Sequence, residues 1–236
     1  MSGHSKWSSI KHQKGAADAK RAGVFTKLTN AIAVAARGGS DPSMNFQLRL
    51  AIDRARAANM PKSNIDRAIA RATGTGAGAI TDATYEVYGP GGAAILVEVA
   101  TDNKNRAIAE VKSVLNKMGG KLASSGSVQY LFEKKGLVVV SQGEKQSDEI
   151  EMDIIDSGAD DYEVSENQYL VYVAPTQLES VKKNLEEKGY AIVDAKLSWE
   201  PKQSVSLDSE TSEKVVKLLS ALDELDDVTG VASNIS

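Results

Sequence analysis

Apolar residues recur at helical spacing through the first third of the chain and at a spacing of two over much of the rest. In 16–37, Phe25, Leu28, Ile32 and Ala35 form one stripe, which predicts a helix closed by Gly38-Gly39. Asp41-Pro42 reads as the start of a second helix, with Leu48, Ala51, Ile52, Ala55 and Ala58 on its inner face. Pro61 breaks the pattern. Beyond it, Ile65, Ala68, Ile69 and Ala72 predict a third helix, opened by the capping-box-like spacing of Ser63 and Asp66. The three helices make a small, alanine-rich unit. The glycine-rich 74–80 then reads as a linker. Its G-x-G-x-G spacing follows a helix and not a strand, so it does not read as a dinucleotide loop.

From Tyr85 the period is two. Tyr85 to Tyr88, Gly89-Pro90-Gly91-Gly92 and 93–100 predict strand, turn and strand. Thr101-Asp102-Asn103 caps a helix with Ile108, Val111, Leu115 and Met118 inward, stopped by Gly119-Gly120, and 127–132 reads as a strand. Next come a strand at 137–141, an acidic helix at 146–157 and strands at 162–165 and 168–174. A helix opened by Thr176-x-x-Glu179 and a strand at 190–199 follow. This is the β-α-β-β-α-β order of a ferredoxin-like unit. The tail predicts a strand at 205–207, a helix with Val215, Leu218, Leu219 and Leu222 inward, and a strand at 228–235. It is too short to form a domain alone, so it is expected to rejoin the sheet begun at Tyr85. The expected fold class is α+β in three domains: a helical domain at 1–78, a discontinuous α/β domain at 79–133 plus 204–236, and a ferredoxin-like α/β domain at 134–203 inserted into it.

Charge changes this picture from a fold to a function. Net charge is −4 overall, yet residues 1–72 carry 13 Lys and Arg against 4 Asp and Glu, while the remainder carries 15 against 28. A head at +9 on a body at −13 points to a polyanionic partner for the head; the alternative is mutual neutralisation across a charged interface. The leader 1–28 concentrates the positive charge, with Lys6, Lys11, Lys14, Lys20, Arg21 and Lys27 against Asp18. It also holds both histidines, His4 and His12, together with Ser5 and Trp7. Cations grip phosphate, and an indole or imidazole among them can stack on a base. Arg49 with Arg56, and Arg67 with Arg71, project from shared outer faces of the second and third helices.

The rest of the composition narrows the classes. There is no cysteine, which excludes disulfides and Cys-based zinc sites. No apolar run is long enough to span a membrane, and the leader has no signal-peptide core, so a cytoplasmic location is expected. G-x-S-x-G, H-E-x-x-H, Walker and kinase signatures are missing. The acidic clusters Asp148-Glu149-Glu151-Asp153, Asp160-Asp161 and Glu224-Asp226-Asp227 read as solvated faces. A non-enzyme is expected, with no catalytic residues, metal, cofactor or small-molecule substrate.

Several motifs resemble the YebC/PmpR family. They are Gly3-His4-Ser5-Lys6-Trp7, Asp18-x-Lys20-Arg21, Gly39-Ser40-Asp41-Pro42, Asn59-Met60-Pro61 and Asp66-Arg67-Ala68-Ile69, then Tyr85 to Gly92, Asp102-Asn103-Lys104-Asn105-Arg106 and Gly126-Ser127-Val128-x-Tyr130-x-Phe132. The resemblance covers essentially the whole chain. Where the family usually has an aromatic before Asn, this chain has Val231-Ala232-Ser233-Asn234. The resemblance implies three domains, the third inserted in the second, and a non-enzymatic role in gene expression. Bacterial members are described as DNA-binding transcriptional regulators; the mitochondrial translational activator of cytochrome oxidase subunit I belongs to the same family. Three readings stand at this point: a DNA-binding regulator, a factor that binds ribosomal RNA and relieves stalling on sequences such as proline runs, and a protein-assembly scaffold.

Overall fold

The computed structural model describes residue 7 and residues 21–73, 80–143, 145–165 and 167–236. The head contains α1 (Arg21–Ala36), α2 (Phe46–Ala57) and α3 (Lys62–Thr73). Leu28, Ile32, Leu48, Ile52, Ala55, Met60 and Ile65 close its core. Helix α2 starts later than Asp41-Pro42 suggests. The Asp41 carboxylate turns onto the N–H and hydroxyl of Ser43, while the Asn45 side chain accepts from Leu48 N–H and caps the helix. Ser63 and Asp66 lie inside α3 and do not open it; Pro61 stands just before its first residue.

Two antiparallel sheets form the body. The first contains β1 (Thr81–Tyr88), β2 (Ala94–Thr101), β3 (Lys121–Leu122) and β8 (Val228–Ser233) in the order β3-β1-β2-β8. The chain's last strand thus pairs with the sheet begun at Thr81, with Val97 opposite Val231. Helices α4 (Lys104–Met118) and α7 (Ser209–Asp223) pack on this sheet through Val111, Leu115, Val215, Leu218 and Leu222. Asn103 caps α4, and Gly119 closes it in the left-handed conformation at φ 74°. Residues 205–207 make only an isolated bridge from Val205 to Ile235 and form no strand.

The second sheet holds β4 (Phe132–Ser141), β5 (Asp161–Ser165), β6 (Gln168–Val173) and β7 (Ile192–Pro201) in the order β5-β6-β4-β7. Together with α5 (Ser147–Asp156) and α6 (Leu178–Glu187) this is the ferredoxin-like unit, inserted between β3 and α7. Ile150, Ile154, Leu178, Val181 and Leu185 seal the helices to one face of the sheet. Thr176 and Glu179 do not form the expected capping box. Pro175–Gln177 is a 3-10 turn, and α6 begins at Leu178 with no side-chain cap. The expected strand at 127–132 is instead a loop ending in a 3-10 turn at Gln129–Leu131.

Candidate nucleic-acid interface

Helices α2 and α3 are each twelve residues long, joined by the four-residue turn Ala58-Asn59-Met60-Pro61. Asn59 takes a left-handed conformation at φ 59°, and Met60 plugs the head core below it. Two helices on a short turn share the gross plan of a helix-turn-helix. The sequence pattern did not suggest this, because the turn contains no glycine.

The head cations divide into two groups. Those on the side toward the body are engaged by its carboxylates. Arg37 pairs with Asp82 at 2.8 Å, Arg71 with Asp102 at 3.0 Å and Arg54 with Asp194 at 2.9 Å. Arg49 pairs with Glu179, rests 5.6 Å from the Phe46 ring centroid and donates to the carbonyl of Ser43. The Lys27 ammonium donates to the Asp223 carbonyl. In the reverse direction, Lys182 of the body reaches Asp53 of the head at 3.0 Å. Of the residues expected on a binding face, Arg49 and Arg71 thus have carboxylates of the body beside them, and Lys27 has a body backbone carbonyl. Mutual neutralisation, the alternative to a fully open basic face, accounts for this side of the head.

Arg56, Lys62 and Arg67 form the second group. The Arg56 side chain is 70% exposed, and its nearest carboxylate, Asp53 on the same helix, stands 3.8 Å away. Lys62 and Arg67 are exposed at the start of α3. Arg67 bonds only locally, to the Ser63 carbonyl at 3.2 Å and to Asn64. These three cations gather around the α2–α3 turn.

Trp7 departs furthest from expectation. It is 3% exposed and packs into the core of the first sheet. Its indole N–H donates to the Val231 carbonyl at 3.1 Å. Here the indole is an anchor against β8 and not a surface for a base. His4, Ser5, Lys6, Lys11, His12, Lys14 and Lys20 lie outside the described residues, as does the Arg21 side chain.

The body acids are also less idle than their clustering suggests. Asp227 is buried, accepts from Thr101 Oγ1 at 2.9 Å and pairs with Arg106 at 2.7 Å. Arg106 also pairs with Asp102, so the chain of charges runs from Arg71 of the head into the body core. The bond to Asp227 raises the Arg106 pKa further. Asp153 accepts from Lys188 and from the Tyr190 hydroxyl, which hold its carboxyl below the usual range. The Tyr162 hydroxyl donates to Glu151 at 2.6 Å, which with burial pushes the phenol up to about 12.

A cleft of about 340 Å³ lies where head, first sheet and second sheet meet, bordered by Trp7, Leu50, Arg54, Glu98, Lys134 and Trp199. Glu98 accepts the Trp199 indole N–H at 3.0 Å, and Lys134 sits 4.9 Å over that ring. These partners complete one another, which makes the cleft a junction between units. Among the described residues, no group of three or more His, Asp or Glu is placed to hold a metal ion.

Two family models match. One, for the TACO1/YebC protein N-terminal domain, covers residues 5–75; the other, for the TACO1/YebC second and third domain, covers residues 80–235. The chain belongs to the TACO1/YebC family. Curated relatives in Rubrobacter xylanophilus and Thermotoga maritima, both named "Probable transcriptional regulatory protein", are 48% and 47% identical. Each match takes in 99% of this chain, and 95% and 93% of the two relatives respectively. The crystal structure of a conserved hypothetical protein from Aquifex aeolicus superposes with a TM-score of 0.90 at 44% identity, over 98% of this chain and 97% of that one.

Proposed function

We propose that this protein is a nucleic-acid-binding regulator of gene expression that acts in transcription, holding DNA through its phosphates and catalysing no bond-making step. The observation that carries the reading is the divided set of head cations. The body neutralises those that face it, and Arg56, Lys62 and Arg67 are left outward around the α2–α3 turn. The leader adds Lys6, Lys11, Lys14, Lys20 and Arg21 to that head in sequence. Such a set positions a backbone without reading bases. The name of the curated relatives agrees with a role in transcription. An RNA target, as in a factor acting on ribosomal RNA, is the second reading; Tyr130 of the body, 64% exposed, favours it, because RNA recognition leans on stacking of unpaired bases on aromatic rings.

The test is crosslinking in cells followed by sequencing of the attached nucleic acid, comparing wild type with Lys6→Glu/Lys11→Glu and with Arg56→Glu/Arg67→Glu. Promoter DNA recovered by wild type and lost by both variants is the expected result. Recovery of ribosomal RNA without DNA would replace transcription by translation. Recovery of neither, with all three proteins alike, would leave only the assembly scaffold. In vitro, affinity should fall with a log–log salt slope of about −0.9 for each phosphate contacted.

A further inference from the structure

Residues 111–132 contain Lys112, Lys117 and Lys121 and no Asp or Glu, although the body around them is strongly acidic. Their last part is the loop that replaces the expected strand, and it is held from every side. The Glu86 carboxylate, buried beneath it, accepts the N–H groups of Gly126 at 2.5 Å, Val128 at 2.5 Å and Gln129 at 2.8 Å. The Glu86 carbonyl takes Ala123 N–H at 2.8 Å. Val128 is fully buried, and Gly126 turns the chain at φ 83°. The Tyr88 hydroxyl donates to the Ser127 carbonyl at 3.1 Å. Lys202 fastens the far end twice, through its backbone N–H to Leu131 O and its ammonium to Tyr130 O, both at 2.9 Å.

What this clamp presents outward is Tyr130, 64% exposed, on a backbone held at its carbonyl by Lys202. Tyr88, which reaches the Ser127 carbonyl of the same loop, has Lys121 as its ladder partner. The loop covers part of the core, with Val128 and Phe132 clustered with Ala94, Leu96 and Ala232, but Tyr130 stands outside that cluster and faces solvent. An exposed aromatic on a held backbone, with lysines on the neighbouring segments, is the composition that grips an unpaired nucleotide, with the ring under the base and the ammonium groups toward the phosphate. We propose that the 123–131 loop is a second nucleic-acid contact, in which Tyr130 stacks on an unpaired base while Lys202 and Lys121 face the adjoining phosphates. The site takes a single-stranded stretch, from RNA or from opened DNA. It rests on the nucleic-acid reading above for the class of polymer, but on none of the head residues.

The test uses the full chain and fluorescence anisotropy with labelled probes of about 15 nucleotides, near the span of one single-strand site. The probes are single-stranded RNA, single-stranded DNA of the same sequence, and the DNA duplex. Tyr130→Ala is expected to weaken binding of at least one single strand by about 10-fold or more. Tyr130→Phe, which keeps the ring, should stay within about 2-fold of wild type. Both variants should melt as wild type does, since the side chain is exposed. Loss confined to the RNA probe assigns the site to RNA, and loss confined to single-stranded DNA assigns it to opened duplex. If Tyr130→Ala holds both single strands as wild type does while Arg56→Glu/Arg67→Glu loses them, this surface is wrong and the head reading stands. If Tyr130→Phe loses as much as Tyr130→Ala, stacking is wrong. If wild type holds none of the probes, both readings fail.

Discussion

Replacing Glu86 by Gln isolates the element on which the 123–131 loop depends. The side chain is nearly isosteric, so packing against Val128 is preserved while one acceptor oxygen becomes an N–H donor. In the wild type, Oε1 accepts one amide and Oε2 accepts two. The least damaging rotamer turns the new NH₂ toward Gly126 and keeps the oxygen under Val128 and Gln129. Those two bonds then fall from charge-assisted to neutral, a loss of about 1 kcal/mol each. The Gly126 N–H faces another donor in a buried setting, which costs about 1–3 kcal/mol. The total is about 3–5 kcal/mol, concentrated in the loop. A three-domain chain need not melt in one step, so the readout is local hydrogen exchange. The amides of Gly126, Val128 and Gln129 should exchange about 100-fold faster or more in the variant, with α5 and α6 unchanged. Acid should mimic the substitution. Burial pushes the Glu86 carboxyl up, but the three N–H groups outweigh it and hold it below its ordinary 4.5. A depressed folded pKa contributes stability above the unfolded value and loses it as pH falls through the folded one. Wild-type protection should therefore decline below about pH 4.5, and the Gln variant should show no such step. Exchange at the three amides within about 3-fold of wild type at neutral pH would refute the clamp.

Glu200 should give the opposite pH signature. Burial raises its carboxyl to about 7, against help from Ser198 and Lys196. Its stabilising contribution is present below the ordinary value of 4.5 and is lost as pH rises through about 7. Glu200→Gln should thus gain on wild type between pH 5 and pH 8, by at most about 3 kcal/mol. Urea unfolding at the two pH values checks this, and an equal difference at both would defeat it. Trp7→Ala removes a buried indole and its bond to Val231, and should cost about 3–5 kcal/mol with the emission of Trp199 retained. A thermal shift equivalent to under about 1 kcal/mol would mean that the indole is not a core anchor.

What the sequence disclosed and what it hid follow from range. Val215, Leu218, Leu219 and Leu222 are all buried as the pattern of α7 requires, because one uninterrupted apolar face leaves a helix no other way to pack. Asn103 and Gly119 bound α4 because their caps are made within one turn. The misreadings occur where a distant residue takes over a local signal. Glu179 has the spacing of a capping box but spends its carboxylate on Arg49. The Ser127 to Phe132 stretch has the alternation of a strand, yet Glu86, some forty positions back, takes its amides first. Trp7 is surrounded in sequence by cations, yet in space it joins the buried apolar cluster of the first sheet and donates to the Val231 carbonyl. For the candidate interface, the sequence located the charge but not its counter-charges. Asp82, Asp102, Glu179 and Asp194 lie dozens of residues or more from the arginines they meet.

Those counter-charges alter how the charge asymmetry works. Exposed ion pairs of this kind each contribute about 1 kcal/mol or less and are screened by salt. The head is fixed more firmly by apolar and buried polar contacts. Ala33 packs with Ile80 and Ala100, and the Asn30 amide donates to the Ala100 carbonyl at 3.0 Å inside the joint. The arginine seam is therefore not needed to hold head and body together. Its main physical effect is to lower the positive field on one side of the head. Among the described residues, that leaves Arg56, Lys62 and Arg67 as the head cations with no partner in the body. On the body side Arg49 and Arg54 already have Glu179 and Asp194 as partners, which weakens their pull on a polyanion. An acidic body on a basic head thus does more than balance net charge: it gives partners to the described arginines on one side of the head and leaves those around the α2–α3 turn without them.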